Sequence, residues 1–473
     1  MNEFLRNAAA DFLDRRDGWS GWKVHRAAFR ATALKSVQQL RSDVDRRLGD
    51  ILQHAFLTCP YYRDAWSRAG FDGTAQNAAQ TLTALPLISK ETVRSHRDSL
   101  RSQAYSDEQL ETAFTGGTTT TPTRFYRDRD CRIVRTGRQW GVLERCGYRR
   151  GLRRALVWGV RADLPLATGS WNVRQSLRRF AENQDVLACA TITERDLAGF
   201  YQRLRQSRPP VMYGYPSALA ELATYILESQ LAPLRGSATI TTAERLTETQ
   251  RQLFEKAFGG EVFNLYCSRE HGCIGFECSS HHGLHIDAES VCVEITRDGA
   301  TLGPGQRGEI TITDLVNRGM PMIRHVTGDL GQLSLEPCAC GSHLPLLVGL
   351  SGRDVDVIYT PEGRRIPGVP LLLELFGDIG AIRSVQFVQD AIESVEVRVV
   401  APNGLSDTDE QRARTELRRH LGEAIEIRIR VVPSIDRSPT SGKVREIVSN
   451  IKPPSTSDSR VPATPRATVD SAG

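Results

Sequence analysis

The residues best suited to chemistry fall into two groups within the 473-residue chain. The first lies in "FTGGTTTTPTRFYRD", Phe114 to Asp128, where six threonines and two glycines stand between an aromatic residue and a set of arginines. Threonine hydroxyls, with backbone amides that glycine leaves uncovered, can cradle a phosphate chain. The same run suits a polar surface turn, and four threonines in a row suit a β-strand. It lacks the Gly-Lys-Ser/Thr ending of a Walker loop, so it does not indicate a P-loop kinase. The second group spans "ECSSHHGLH" (Glu277 to His285) and "EPCACGSHLP" (Glu336 to Pro345). Cys278, His285, Cys338 and Cys340 could supply the sulfur and nitrogen ligands of a tetrahedral zinc site, with His281 and His282 as competing donors. Four unrelated loop residues are the alternative, because Cys-x-Cys with a distant Cys/His pair is not a standard finger.

Further along, "NLYCSREHG" puts Glu270 four residues past Tyr266, just after a strand-like run. "MPMIRHVTGDLGQL" places Asp329 in a Gly-Asp turn, "SGRDVD" carries Arg353, and "DRSPTSGKVREIV" carries Lys443 in a Gly-Lys turn. Singly, each is an ordinary turn. In this order and at these intervals, the series resembles the adenylate-forming acyl-ligases, and within them the phenylacetate–CoA ligase branch and its capsule-biosynthesis relatives. "CPYYRDAW", "LPLISKETVR", "YGYPSALAELA" and "PLLVGLSGR" add local matches, so the likeness runs over roughly residues 45 to 450.

That resemblance implies ATP-dependent activation of an organic carboxylate, which attacks the α-phosphate to give an acyl-adenylate and pyrophosphate. Thr115, Gly116, Gly117, Thr118 and Thr119 would hold the phosphates, and Glu270 would hold Mg²⁺. Ala243 and Glu244 would lie against the adenine, with Tyr266 and Ser268 beside the nucleotide. Asp329 would accept from the ribose hydroxyls, and Arg353 would sit near ribose or phosphate. Lys443 would bridge the carboxylate and the α-phosphate, stabilising charge as it develops. Tyr213, Tyr215 and Pro216 would line the carboxylate pocket, although tyrosines serve equally well as core packing. Three positions depart from the family pattern: Thr120 replaces a glycine of the loop, Cys267 stands where Tyr-Gly-Ser-x-Glu has glycine, and Val355 stands where the hinge often has aspartate. Transfer of the acyl group to CoA is the leading expectation. Transfer to an amine or hydroxyl, and a non-catalytic nucleotide-binding protein, are the alternatives.

These groups need a scaffold to position them. After a polar helical stretch to about residue 105, short apolar runs alternate with helical ones from "RRALVWGV" to "EVFNLYC". That alternation predicts an α/β fold around a largely parallel sheet. "SVCVEITRDGATLGPGQRGEITITDL" then reads as two alternating strands, an antiparallel or barrel-like addition. The expected domains are a large one over residues 1–351, a hinge at 352–356, a small mobile α+β domain at 357–452 and a disordered tail at 453–473. In the small domain, Val395, Val397 and Val399 share a strand face, Ala413, Leu417 and Leu421 repeat on a helix, and Ile425, Ile427, Ile429 and Val431 alternate. A net charge of +5 gives no case for nucleic acid, despite the local run "RRGLRR". No apolar stretch is long enough to span a membrane, and the N-terminus lacks the apolar core of a secretory signal. The ten cysteines are then expected as reduced thiols or metal ligands in the cytoplasm. The expected partners are small molecules, with neither nucleic acid nor membrane; a homodimer is compatible with this reading.

Overall fold

The computed structural model describes the chain except residues 1, 17, 76, 115–123, 159–176, 178–179, 189–191, 352–356, 362–364, 368–378, 380, 437–444 and 452–473. The residues form two compact units, Met1–Val355 with Asp436–Arg445 and Asp356–Ile435 with Glu446–Gly473.

The larger unit begins with helices α1 (Asn2–Arg16), α2 (Trp22–Thr32), α3 (Val37–Thr58), α4 (Pro60–Arg68), α5 (Ala78–Ala84), α6 (Lys90–Ser95) and α7 (Arg97–Leu100). Their starts are written in the sequence. Ser36 and Gln39 close a capping box on α3, as Ser89 and Thr92 do on α6, so orphan amides of the first turn are satisfied locally. α4 opens with Pro60, whose missing N–H costs nothing at that position. Tyr62 and Trp66, one turn apart on α4, are fully buried, with rings 4.6 Å apart. The Tyr62 hydroxyl donates to the Pro321 carbonyl at 2.9 Å, tying these helices to the sheet region.

A hairpin of β1 (Leu110–Phe114) and β2 (Arg124–Asp128) follows, with Phe114 opposite Arg124. The threonine-rich residues 115–123 lie outside the described residues. α8 (Arg129–Arg145) comes next, capped by the Asp128 carboxylate. Then β3 (Arg154–Val157), β4 (Gln184–Leu187), α9 (Glu194–Ser207), β5 (Val211–Gly214), α10 (Pro216–Glu228), β6 (Ser237–Thr242), α11 (Glu248–Phe258) and β7 (Gly259–Ser268) give the anticipated α/β alternation. The remaining strands are β8 (Gly272–Glu277), β9 (Leu284–Ile286), β10 (Val291–Arg297), β11 (Ala300–Thr301), β12 (Gly308–Asp314), β13 (His325–Leu333) and β14 (Leu346–Ser351).

Twelve described strands join in one sheet of order β11-β10-β12-β13-β14-β9-β8-β7-β6-β5-β3-β4. From β4 to β7 the pairs are parallel; from β7 to β11 they are antiparallel. The central strands β5 and β6 are buried nearly throughout, while β3 and β4 alternate buried and half-buried residues. Met212 and Val262 point into the core under α9, α10 and α11, while Tyr213, Ile240, Phe263 and Leu265 point to the α2 and α8 side. The addition after β9 includes the two-residue β11 between the two strands expected there, so that turn carries a short strand of its own.

The smaller unit pairs β15 (Val357–Tyr359) with β16 (Arg365–Pro367) and holds a four-stranded sheet. That sheet contains β17 (Ser384–Ala391), β18 (Ser394–Val400), β19 (Glu426–Val431) and β20 (Ile447–Ser449), ordered β19-β18-β17-β20. Val395, Val397 and Val399 of β18 pack against Ala413, Leu417 and Leu421 of α12 (Asp407–Leu421). The β19 alternation weakens at its end: Val431, expected on the inward face, is 48% exposed, because β19 is an edge strand.

Candidate active site

β5, β6 and β7 run parallel and adjacent, so their C-terminal ends form one edge. In open α/β sheets that edge is where ligands bind. Tyr213 lies near the end of β5 with Tyr215 and Pro216 just after it, Ala243 and Glu244 follow β6, and Tyr266 and Ser268 end β7. Glu270 occupies the turn between β7 and β8, in which Ser268 pairs with Gly272.

This turn is held from several directions. The Ser268 hydroxyl accepts from the His271 amide at 3.0 Å. Arg135, on α8, donates to the carbonyl oxygens of Arg269 and Glu270 and forms a salt bridge with Asp314, whose side chain is 1% exposed. Asp314 also accepts from the amides of Val316 and Asn317. Burial still pushes its carboxyl above the ordinary range, against the pull of Arg135. Gly272, at φ +75°, lies under this guanidinium stem; a Cβ there would come within 3.0 Å of the Arg135 Cδ. His271 is buried, with Nε2 3.0 Å from Nδ1 of His325, and burial drives its pKa well below the ordinary value. A neutral His271 can donate to or accept from the His325 ring across this contact.

Asp329, on β13, takes a hydrogen bond of 2.6 Å from the Tyr266 hydroxyl. Two residues 63 apart in sequence thus meet beside the Glu270 turn. The Glu244 carboxylate accepts from the Ser217 amide at 2.9 Å, so it caps α10, where the helix dipole favours a negative charge. Ala243, at φ +68°, makes the bend that sends Glu244 there, a left-handed conformation costing a Cβ-bearing residue roughly 1–2 kcal/mol. Tyr213 and Tyr215 are both buried against Trp158, which stacks on Tyr213 at 5.3 Å and tilts on Tyr215 at 4.4 Å. Pro216 is buried as the first residue of α10. Thr115, Gly116, Gly117, Thr118, Thr119, Thr120, Arg353, Val355 and Lys443 lie outside the described residues.

Sequence reasoning missed Arg135, Asp314, the two histidines and Trp158. One signal was available: Arg129, Arg132, Arg135 and Arg138 recur every third residue, as one face of a helix would. Arg132 bridges to Glu111, Arg135 to Asp314, and Arg138 to Asp287 and Glu289.

At the far end of β8 lies a second assembly. Cys278, His285, Cys338 and Cys340 bring their donor atoms within 4.8 Å of one another. Cys278 Sγ is 3.6 Å from Cys338 Sγ, and Cys340 Sγ is 3.3 Å from His285 Nε2. With Zn–S near 2.3 Å, a tetrahedron has S···S edges of about 3.8 Å, so this donor set fits the ion in type and spacing. Strand pairing brings the donors together: β8 pairs with β9 and β9 with β14, while the 338–341 turn closes through the Gly341 amide on the Cys338 carbonyl. The competing donor His281 instead faces Glu277, at 3.4 Å, and His282 is exposed.

The chain is similar in sequence to known proteins. A family model described as the CapK C-terminal domain matches residues 358–450. A phenylacetate-coenzyme A ligase from Thermus thermophilus is 24% identical over 329 residues, 68% of this chain and 72% of the relative. Protein CapK from Staphylococcus aureus is 25% identical over 429 residues, 89% of this chain and 91% of the relative. These likenesses support the adenylate-forming acyl-ligase superfamily for this chain. Its fold agrees with that of a solved 2-hydroxyisobutyryl-CoA ligase in complex with R3-HIB-AMP, at a TM-score of 0.71 and 20% identity, covering 89% of this chain and 91% of that one. Among the described residues, no helix of the chain is long and apolar enough to cross a membrane.

Proposed function

We propose that the protein activates an organic carboxylate as its acyl-adenylate and passes the acyl group to CoA. The observation that carries this reading is the Tyr266–Asp329 hydrogen bond beside the Glu270 turn, at the C-terminal edge of β5, β6 and β7. In the proposed mechanism one Asp329 oxygen, oriented by Tyr266, accepts from a ribose hydroxyl. The loop 115–119 binds the phosphates. Glu270 offers a half-buried carboxylate, a hard oxygen donor suited to Mg²⁺, and Arg135 fixes the backbone that carries it. Bound Mg²⁺ would offset repulsion between the anionic carboxylate and triphosphate. Lys443 stabilises charge on the α-phosphate as the carboxylate oxygen attacks. The Trp158, Tyr213 and Tyr215 rings favour a flat or aromatic acyl group, which would stack against such a wall.

The match of residues 358–450 to the CapK C-terminal domain supports a second reading, in which the adenylate is passed to an amine or hydroxyl. Carboxylate-dependent pyrophosphate exchange, run across a panel of aryl and alkyl acids and repeated with CoA or amines, tests both. AMP release that requires CoA supports the first, and release that requires an amine supports the second. No exchange with any acid would leave only a nucleotide-binding protein. We further infer that Cys278, His285, Cys338 and Cys340 hold one structural zinc ion, joining the β8–β9 turn to the segment before β14.

A further inference from the structure

The hairpin that carries Tyr266, Ser268 and Glu270 also contains a pair of cysteines that the proposed chemistry does not use. Cys267 on β7 lies directly opposite Cys273 on β8, one step inside the Ser268–Gly272 pair that closes the turn. We propose that Cys267 and Cys273 form a reversible disulfide, a redox modification site that lowers the affinity of the adjoining nucleotide site.

Geometry comes first. Directly opposed residues of an antiparallel pair have Cα atoms about 4.5–5.5 Å apart and side chains on one face. A disulfide needs about 4.4–6.8 Å, so the backbone already meets the requirement. The neighbouring thiols act on each other, holding Cys267 below the ordinary thiol range and pushing Cys273 above it, while the Cys273 thiol donates to the Gly275 carbonyl at 3.8 Å. Cys267 is therefore the better nucleophile. Both residues are only partly buried, whereas Cys59, Cys131 and Cys146 are buried thiols pushed up to about 12. Cys267 stands where the family motif has glycine, so the pair is a property of this chain rather than of the motif.

The chemistry balances with a small-molecule disulfide such as oxidised glutathione. The Cys267 thiolate attacks one glutathione sulfur and releases a glutathione thiolate. The Cys273 thiol, passing its proton to a thiolate, then attacks the Cys267 sulfur and releases the second glutathione. One external disulfide is reduced to two thiols as one internal disulfide forms.

The new bond draws the sulfurs together to about 2.05 Å, nearer than any thiol hydrogen bond. The strand register already shifts between Tyr266 and Cys267, and this irregularity is the point in β7 most able to absorb the movement. Tyr266 would then move relative to Asp329, weakening the 2.6 Å bond between them. Affinity for ATP should fall about tenfold, the size of losing one charge-assisted hydrogen bond. The linkage itself is independent of the ligase reading; the effect on ATP rests on it.

The full-length, metal-loaded protein is treated with oxidised glutathione, alkylated and digested with trypsin, which cuts after Arg269 between the two cysteines. Mass spectrometry should find the two peptides joined through Cys267 and Cys273. Calorimetric titration with ATP should show the tenfold loss, reversed by dithiothreitol and absent in Cys273→Ser, with zinc content measured in parallel to separate oxidation of the Cys338 cluster. Recovery of Cys267 and Cys273 as alkylated thiols overturns the proposal. So does linkage without a change in ATP affinity, or an equal loss in Cys273→Ser.

Discussion

The two ends of β8 are built in opposite ways. At the Glu277 end, Cys278, His285, Cys338 and Cys340 converge because β8, β9 and β14 are neighbouring strands, and three of the four residues are buried. At the Gly272 end, the Glu270 turn owes its shape to side chains from distant elements: Arg135 from α8, Asp314 from β12 and His325 from β13. Six residues of strand, about 20 Å, separate a locally closed cluster from a site supported at long range. A structural metal site needs only fixed ligands. On the proposed function, a site that binds a nucleotide and performs two half-reactions would gather groups from many elements, and so would lean on scaffold residues that never meet substrate. Substitutions should therefore separate the two ends.

Arg135→Ala should have the largest effect. It strands the buried Asp314 carboxylate and frees the carbonyls of Arg269 and Glu270. Breaking one side of a buried ion pair costs about 3–5 kcal/mol, which chemical denaturation would read directly. The double variant Arg135→Ala/Asp314→Ala should recover part of that loss. If the single variant unfolds at the parental midpoint, the turn is not supported from α8 and the contrast between the two ends fails.

Lys443→Ala comes next. Removing one group that stabilises developing charge costs about 10²–10³ in rate. Acyl-adenylate formation should fall by that amount, while acyl transfer started from synthetic adenylate should fall much less. Metal content and melting temperature should stay at parental values, since the cluster at the Glu277 end is closed on itself. A parental rate of adenylate formation would remove this lysine from the mechanism, along with the two-step scheme built on it.

Cys338→Ala probes the other end. The parent should contain one zinc per chain by elemental analysis, and the variant should lack it. With zinc absent, two thiols and an imidazole remain crowded and uncompensated, and the tie between two loops is gone. A fall in melting temperature of about 5 °C is expected, roughly 2 kcal/mol at the usual 2–4 °C per kcal/mol for larger domains. Pyrophosphate exchange at 25 °C should change little. Parental protein that is metal-free after mild purification, and no less stable for it, would dissolve the cluster as a metal site.

What the sequence disclosed follows the same division. The Cys/His set was visible because cysteine and histidine are scarce and their intervals match strand–turn–strand spacing. The α/β alternation was visible because buried parallel strands leave short runs of apolar or β-branched residues, such as "VMYG" and "ATIT". Tyr266, Glu270 and Asp329 were found through order and interval, which encode a resemblance and not a contact; no periodicity predicts that a hydroxyl and a carboxylate 63 residues apart will bond. Arg135 was hidden among the chain's many arginines, although its three-residue spacing from Arg132 and Arg138 was present to be read. Glu244 shows a further limit. Its motif placed it at the adenine, and nothing in that motif tells that its side chain caps α10, since residue type alone does not fix where a carboxylate turns.

The smallest expected effect gives the finest test of the Gly272 end. Tyr266→Phe removes a single hydroxyl that donates to Asp329 at 2.6 Å and leaves the ring in place. If Asp329 is oriented by Tyr266 in order to accept from the ribose, the variant should keep kcat and raise the KM for ATP several-fold. One such hydrogen bond contributes about 0.5–1.5 kcal/mol, more when the acceptor is charged. A structural role for the same bond would lower stability and affect every nucleotide alike. Deoxynucleotides distinguish the two. Where the hydroxyl that Asp329 binds has been removed, as 2′-deoxy-ATP or 3′-deoxy-ATP, the parent should already have lost the interaction, and Tyr266→Phe should then add little. Such non-additivity is the signature of groups that share one interaction. Equal losses with ATP and with both deoxynucleotides would mean that the Tyr266–Asp329 bond is a strand-to-strand tie and that the ribose is held elsewhere.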